Sequence, residues 1–134
     1  MAEYTANELQ TVAVNDNVLF TNTVKCSPSI THRRGSGLFT LHGGRQYLIA
    51  FSTNLSGGTA DEEVTLAVTI NGEVVKGTTM AYTPPAADAY GTVARVFAIC
   101  VPCGCCYTIG VRNIGADDVD VVNADLIIIK EGKL

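Results

Sequence analysis

The chain has 134 residues, 47% of them apolar and only 16% charged, with a net charge of −4 and a pI near 5.0. That length suits one domain around a single core, and the apolar fraction excludes a disordered chain. The acidic balance leaves no general nucleic-acid footprint, and so little charge is unusual for a solvated monomer, so some apolar surface is expected to be hidden by self-association.

The opening stretch MAEYTANELQ (1–10) is polar. It lacks the charged, then apolar, then small-residue order of a secretory signal, so it reads as an N-terminal arm, and cytoplasmic synthesis is expected. From residue 11 to 134 period two dominates, which defines one β domain. Strands are predicted over 11–14, 18–23, 29–33, 38–41, 46–53, 64–71, 74–82, 92–101, 106–113 and 119–130. Val64, Leu66, Val68 and Ile70 share one face of their strand, with Thr65, Ala67, Thr69 and Asn71 on the other. Turn signals separate the strands: Asn15-Asp16-Asn17, Gly35-Ser36-Gly37, Gly43-Gly44, Ser56-Gly57-Gly58, Asn71-Gly72, Pro84-Pro85, Pro102 with Gly104, and Asn113-Ile114-Gly115. Asn71-Gly72 is a hairpin mark, because a type I′ turn needs positive φ at both central positions. Residues 84–91 form the longest expected loop. No segment carries a helical stripe, and LIII (126–129) is far too short to span a membrane. The fold class is all-β, an antiparallel sandwich or barrel.

Three strands, 46–53, 92–101 and 119–130, are apolar on both faces. One face fills the core, and the other is expected to meet a second copy of the chain. Leu48, Val96, Phe97, Ile127 and Ile129 are the residues expected at that interface.

The run C-V-P-C-G-C-C, Cys100 to Cys106, holds four of the five cysteines. Zinc commonly takes two C-x-x-C pairs. Here there is one, followed by the adjacent Cys105 and Cys106, whose side chains leave a strand on opposite faces. No metal or cofactor site is therefore expected. The only histidines, His32 and His42, carry no Cys/His or Ser/His/Asp signature, so no catalytic residue is assigned and the chain is read as not an enzyme. The cysteines read as fillers of a tight strand corner. If the chain meets oxidising conditions, Cys26 with Cys105 or Cys106 is the candidate disulfide. His32, Arg33, Arg34 and Arg45 form a candidate patch for an anionic partner, with an ordinary solvated hairpin as the plainer reading. The acidic runs at 61–63 and 117–120 match no calcium-loop spacing.

The run GSGLFTLHGGRQYLIAFS (35–52) resembles the early strands of the C1q/TNF-like jelly rolls of Firmicutes and their phages. VTLAVTINGEVV (64–75) resembles that family's hairpin, and ADLIIIK (124–130) its last strand. The match is also similar to the C-terminal head of the collagen-like exosporium glycoprotein of bacilli, although no Gly-X-Y stalk is present. The resemblance implies a ten-strand jelly roll that assembles as a homotrimer about a threefold axis. It also implies a non-enzymatic structural role: a bacteriophage capsid-decoration or head-spike protein on the virion surface, made in the cytoplasm of a bacterial host. The alternative is a spore-coat or cell-surface adhesion module that binds a glycan or receptor. The expected partners are the chain itself and a capsid or other surface protein, with a glycan as a further candidate and neither nucleic acid nor membrane.

Overall fold

The computed structural model describes residues 1–57, 61–75, 77–86 and 89–133. Among these are twelve strands and no helix. They are β1 (Ala2–Ala6), β2 (Gln10–Val12), β3 (Asn22–Lys25), β4 (Ile30–His32), β5 (Leu38–His42), β6 (Arg45–Gly57), β7 (Val64–Ile70), β8 (Glu73–Val74), β9 (Met80–Tyr82), β10 (Gly91–Val101), β11 (Cys106–Asn113) and β12 (Val119–Lys133). They form two six-stranded antiparallel sheets. The first runs β10-β6-β12-β1-β3 with β2 also on β12, and the second β4-β5-β11-β7-β8 with β9 also on β7. Apart from the sequence-adjacent pairs β4–β5 and β7–β8, neighbouring strands are not consecutive in the chain, as a jelly roll requires.

Alternation builds the core. Along β6, Tyr47, Ile49, Phe51 and Leu55 are buried, and Phe39 and Leu41 of β5 meet them from the second sheet. Phe20, in the connection between β2 and β3, joins the layers. Its ring lies edge-on to Phe39 at 5.2 Å and to Phe51 at 6.3 Å, a geometry that adds to simple burial. The Asn71-Gly72 turn has φ of 52° and 87° and closes the β7–β8 hairpin, as the sequence predicts.

Three features depart from the sequence reading. Residues 1–10 are not wholly an arm: Ala2–Ala6 form β1, which sits inside the first sheet between β12 and β3. Its inward residues are Ala2, Tyr4 and Ala6, so a single large side chain carries the apolar period and the signal is weak. The strand expected over 74–82 is divided into β8 and β9. Between them the buried Thr78 hydroxyl donates to Val75 O at 2.7 Å and accepts from Val68 N at 3.1 Å, replacing ladder bonds with side-chain bonds. The strand expected over 18–23 is displaced to β3, while Val18 and Phe20 are buried in an irregular segment. The expected turn at Ser56–Gly58 and the loop 84–91 include positions 58, 87 and 88, which lie outside the described residues.

Candidate functional site

The outer face of the first sheet has an apolar centre, and one backbone device sets it. The ladder between β12 and β6 shifts register between Val122 and Asp125. Asn123 adopts φ 55°, the left-handed region that asparagine tolerates. Before this bulge Val119 and Val121 point inward; after it Ala124, Leu126 and Ile128 do. The buried Thr53 hydroxyl donates to Val122 O at 3.1 Å and so satisfies a carbonyl at the bulge. The shift leaves Ile127 and Ile129 on the outside.

Register then gathers the face. Val96 opposes Ala50, which opposes Ile127; Ala98 opposes Leu48, which opposes Ile129. Val96 is 62% exposed and Ile129 39%, with Leu48 and Ile127 half-buried beside them. The structure thus brings together Leu48, Val96, Ile127 and Ile129. Phe97 is not part of this group. It opposes the buried Ile49 and packs against the core from the inner face, so of the adjacent pair Val96 and Phe97 only Val96 looks outward.

At the margin of this face, Asp125 lies in a row between Ser52 and Thr5, and Glu3 stands beside it opposite Ile127. Burial, then the neighbouring Glu3 carboxyl with its shared hydrogen bond and like charge, push Asp125 up to about 6. Its Oδ1 is enclosed and has no hydrogen-bond partner. Sequence reasoning missed this pair because the two carboxyls meet only through the β1–β12 register.

The basic residues do not converge. His32 is an inner-side residue: its ring stacks on Phe39 with centroids 4.3 Å apart and lies 4.8 Å from Tyr4, and its Nε2 bonds Ser36 O at 2.8 Å. Arg33 and Arg34 follow it at one end of β5, and Arg45 lies past the other end, roughly 13 Å away along the strand at about 3.3 Å per residue. Arg34 instead joins a groove along β1 and β3. Two adjoining cavities there, of about 440 and 480 Å3, share Asn7, Asn22 and Arg34. Arg34 Nε donates to Thr21 O at 2.8 Å, which fixes the guanidinium plane.

All five cysteines are exposed and free. Cys100 is the next-to-last residue of β10, which ends at Val101, and Cys106 begins β11, with the turn between the strands clamped on the Gly43-Gly44 turn. Gly44 N donates to Val101 O at 2.8 Å, and a Cβ on Gly43 would stand 2.1 Å from Pro102 O, so that position admits only glycine. Cys106 opposes His42 across the β11–β5 ladder, and its Sγ lies 3.5 Å from His42 Nδ1. A Cys/His contact absent from the local sequence is thus created by strand pairing. The two acidic runs also meet. A hydrogen bond that protonated Glu62 donates to Asp117, reinforced by the like charge of Asp117, raises the Glu62 carboxyl above its ordinary range. Among the described residues no group of three or more His, Cys, Asp or Glu is placed to hold a metal ion.

No protein-family model matches the chain, and no curated protein matches it in sequence. Its solved structural neighbours include the Eiger TNF of S. frugiperda, at TM-score 0.73 and 13% identity over 99% of this chain and 92% of that one. The globular domain of zebrafish complement 1qA protein superposes at TM-score 0.66 and 10% identity, covering 98% of each chain. The PRD1 vertex protein superposes at TM-score 0.50 and 14% identity, covering 98% of this chain and 96% of that one. At such identities the likeness concerns the fold, and it agrees with the sheet order: this chain has the C1q/TNF-like jelly-roll fold.

Proposed function

We propose that this chain is a non-enzymatic structural protein that works as a homotrimer, decorating the capsid or forming a head spike of a bacteriophage. The observation that carries the reading is the apolar outer face built by Leu48, Val96, Ile127 and Ile129. A two-layer sandwich needs only its inner faces apolar, and a second contiguous apolar face on a soluble protein marks an interface. Each 100 Å2 of apolar surface covered contributes about 2.5 kcal/mol, against association costs of about 4–15 kcal/mol, so an assembly must cover the sheet around these four side chains as well. The similarity of fold to a phage vertex protein adds support for a place on a virion.

Light scattering at low micromolar concentration tests the assembly. The reading expects three times the chain mass of 14.1 kDa, and a mass near 14.1 kDa overturns it. Cosedimentation tests the virion role: the protein should pellet with shells of the capsid protein encoded beside it in its genome. Collagen-like or spore genes as neighbours would instead favour a surface module. The groove shared by Asn7, Asn22 and Arg34 supports that second reading, since two carboxamides, a guanidinium and the Glu8 carboxylate at its side suit the hydroxyls of an oligosaccharide. Binding of such a sugar that is lost in Arg34→Gln would establish it.

A further inference from the structure

A thiol, an imidazole and a hydroxyl lie in sequence across the outer face of the second sheet. Cys106 Sγ is 3.5 Å from His42 Nδ1, and His42 Nε2 is 2.9 Å from Thr31 Oγ1. The three belong to adjacent strands, β11, β5 and β4, and all are exposed. We propose that Cys106 is the thiol through which this chain exchanges with disulfides, a site of mixed-disulfide formation with His42 as its base and Thr31 as the group that holds the ring.

The arrangement has the order that nucleophile activation needs: nucleophile, base, and a third group that orients the base. The tautomer in which Nε2–H donates to the Thr31 hydroxyl leaves the Nδ1 lone pair facing the thiol. Backbone fixes the pair in place. Cys106 and His42 are directly opposed in the ladder, and the glycine turn after His42 is locked against the turn before Cys106. Among the described residues no other cysteine sulfur makes a side-chain hydrogen bond, so Cys106 is set apart from the other four. Its location also matters. The apolar face lies on the first sheet, whereas Cys106 lies on the second, so assembly through the apolar face leaves the thiol open to solvent. An open, flat setting suits attack on a disulfide carried by a small molecule or by another protein.

In the exchange, the thiol proton passes to His42 Nδ1 and the sulfur attacks one sulfur of the incoming disulfide. That S–S bond breaks as the new bond to Cys106 forms. The departing thiolate takes the proton back from His42. One thiol and one disulfide thus give one mixed disulfide and one thiol, and the incoming disulfide is the only co-reactant.

The experiment is a competition within the native, full-length chain. The protein is mixed with substoichiometric glutathione disulfide near neutral pH, quenched with acid, and mapped by peptide mass spectrometry. Cys106 is expected to take the glutathionyl group first, roughly tenfold or more ahead of Cys26. His42→Gln should erase that lead while leaving the Cys26 rate unchanged, and the pH profile at Cys106 should lose its imidazole limb. Thr31→Val should reduce the lead in part. Labelling of Cys106 no earlier than Cys26, or a lead that survives His42→Gln, overturns the assignment. Should His42→Gln fail to fold by circular dichroism, the wild-type order of labelling decides alone.

Discussion

The two sheets turn unlike faces outward. On the first, Val96, Ala50 and Ile127 make one cross-strand row and Ala98, Leu48 and Ile129 the next. On the second, the corresponding rows hold Thr31, Thr40 and Thr108, then His42 and Cys106. Inwardly the sheets are alike: Ile49, Phe51 and Ile128 meet Phe39, Leu41 and Ile109 in one core. What a sheet contacts beyond its own domain is therefore written only in its alternate, outward positions. A threonine-lined face can remain in water at no cost, while the isoleucine-lined one seeks cover.

A charge separates the two faces most sharply. Ile127→Asp should abolish assembly, because an unpaired carboxylate cannot be buried between copies. Thr108→Asp, on the other sheet, should leave the assembled mass unchanged. Light scattering of both variants checks this, and equal behaviour of the pair would erase the contrast.

Next in size is damage from within. Tyr4 is fully buried and carries the apolar side of β1. Tyr4→Ala should cost about 3–5 kcal/mol in chemical denaturation, as large aromatic truncations do. A loss below about 1 kcal/mol would mean that β1 is not an integral strand of the first sheet.

The edge of the second sheet should be more forgiving. Gly72 holds φ 87° with little near its missing Cβ, so Gly72→Ala introduces backbone strain without a clash. The expected cost is about 1–2 kcal/mol, read as a lowered Tm.

The smallest effect distinguishes the margin of the first sheet. Burial and Glu3 push Asp125 up to about 6, so the folded chain holds that proton more tightly than the unfolded chain does. Stability from this group is present in full below about pH 4 and is lost as pH rises through about 6. The carboxyl is partly hydrated, so screening keeps the change below about 1 kcal/mol. Relative to Asp125→Asn, the wild type should lose Tm between pH 5 and pH 7.5. A gain over that interval would contradict the sign.

Most strands were legible because period two is a local property, and Val64–Ile70 shows it within seven residues. The outward face was only half legible. Adjacent apolar residues such as Val96 and Phe97 differ in destination by parity alone, and parity follows from the partner strand's register rather than from the chain's own pattern. Within β12, the bulge at Asn123 exchanges inward and outward positions partway along, which an unbroken alternation cannot anticipate. β1 was illegible because alanine supplies two of its three inward positions. The Cys106–His42 contact has no local signature at all. It appears only once β5 and β11 are paired, 64 residues apart.

The placement of β1 has a kinetic meaning. Ala2 pairs with Ile128 and Ala6 with Ala124, so this strand completes its ladder only with a segment synthesised long after it. Until β12 arrives, β6 has only β10 beside it, and its other edge from Arg45 to Gly57 offers unpaired amides to any neighbouring chain. Folding then carries the slow closure expected of long-range β pairing, on the order of milliseconds to seconds. During that interval nascent copies close together in a cell are exposed to mutual strand capture. The strand that finishes the first sheet is therefore also the one that ends its vulnerability to aggregation.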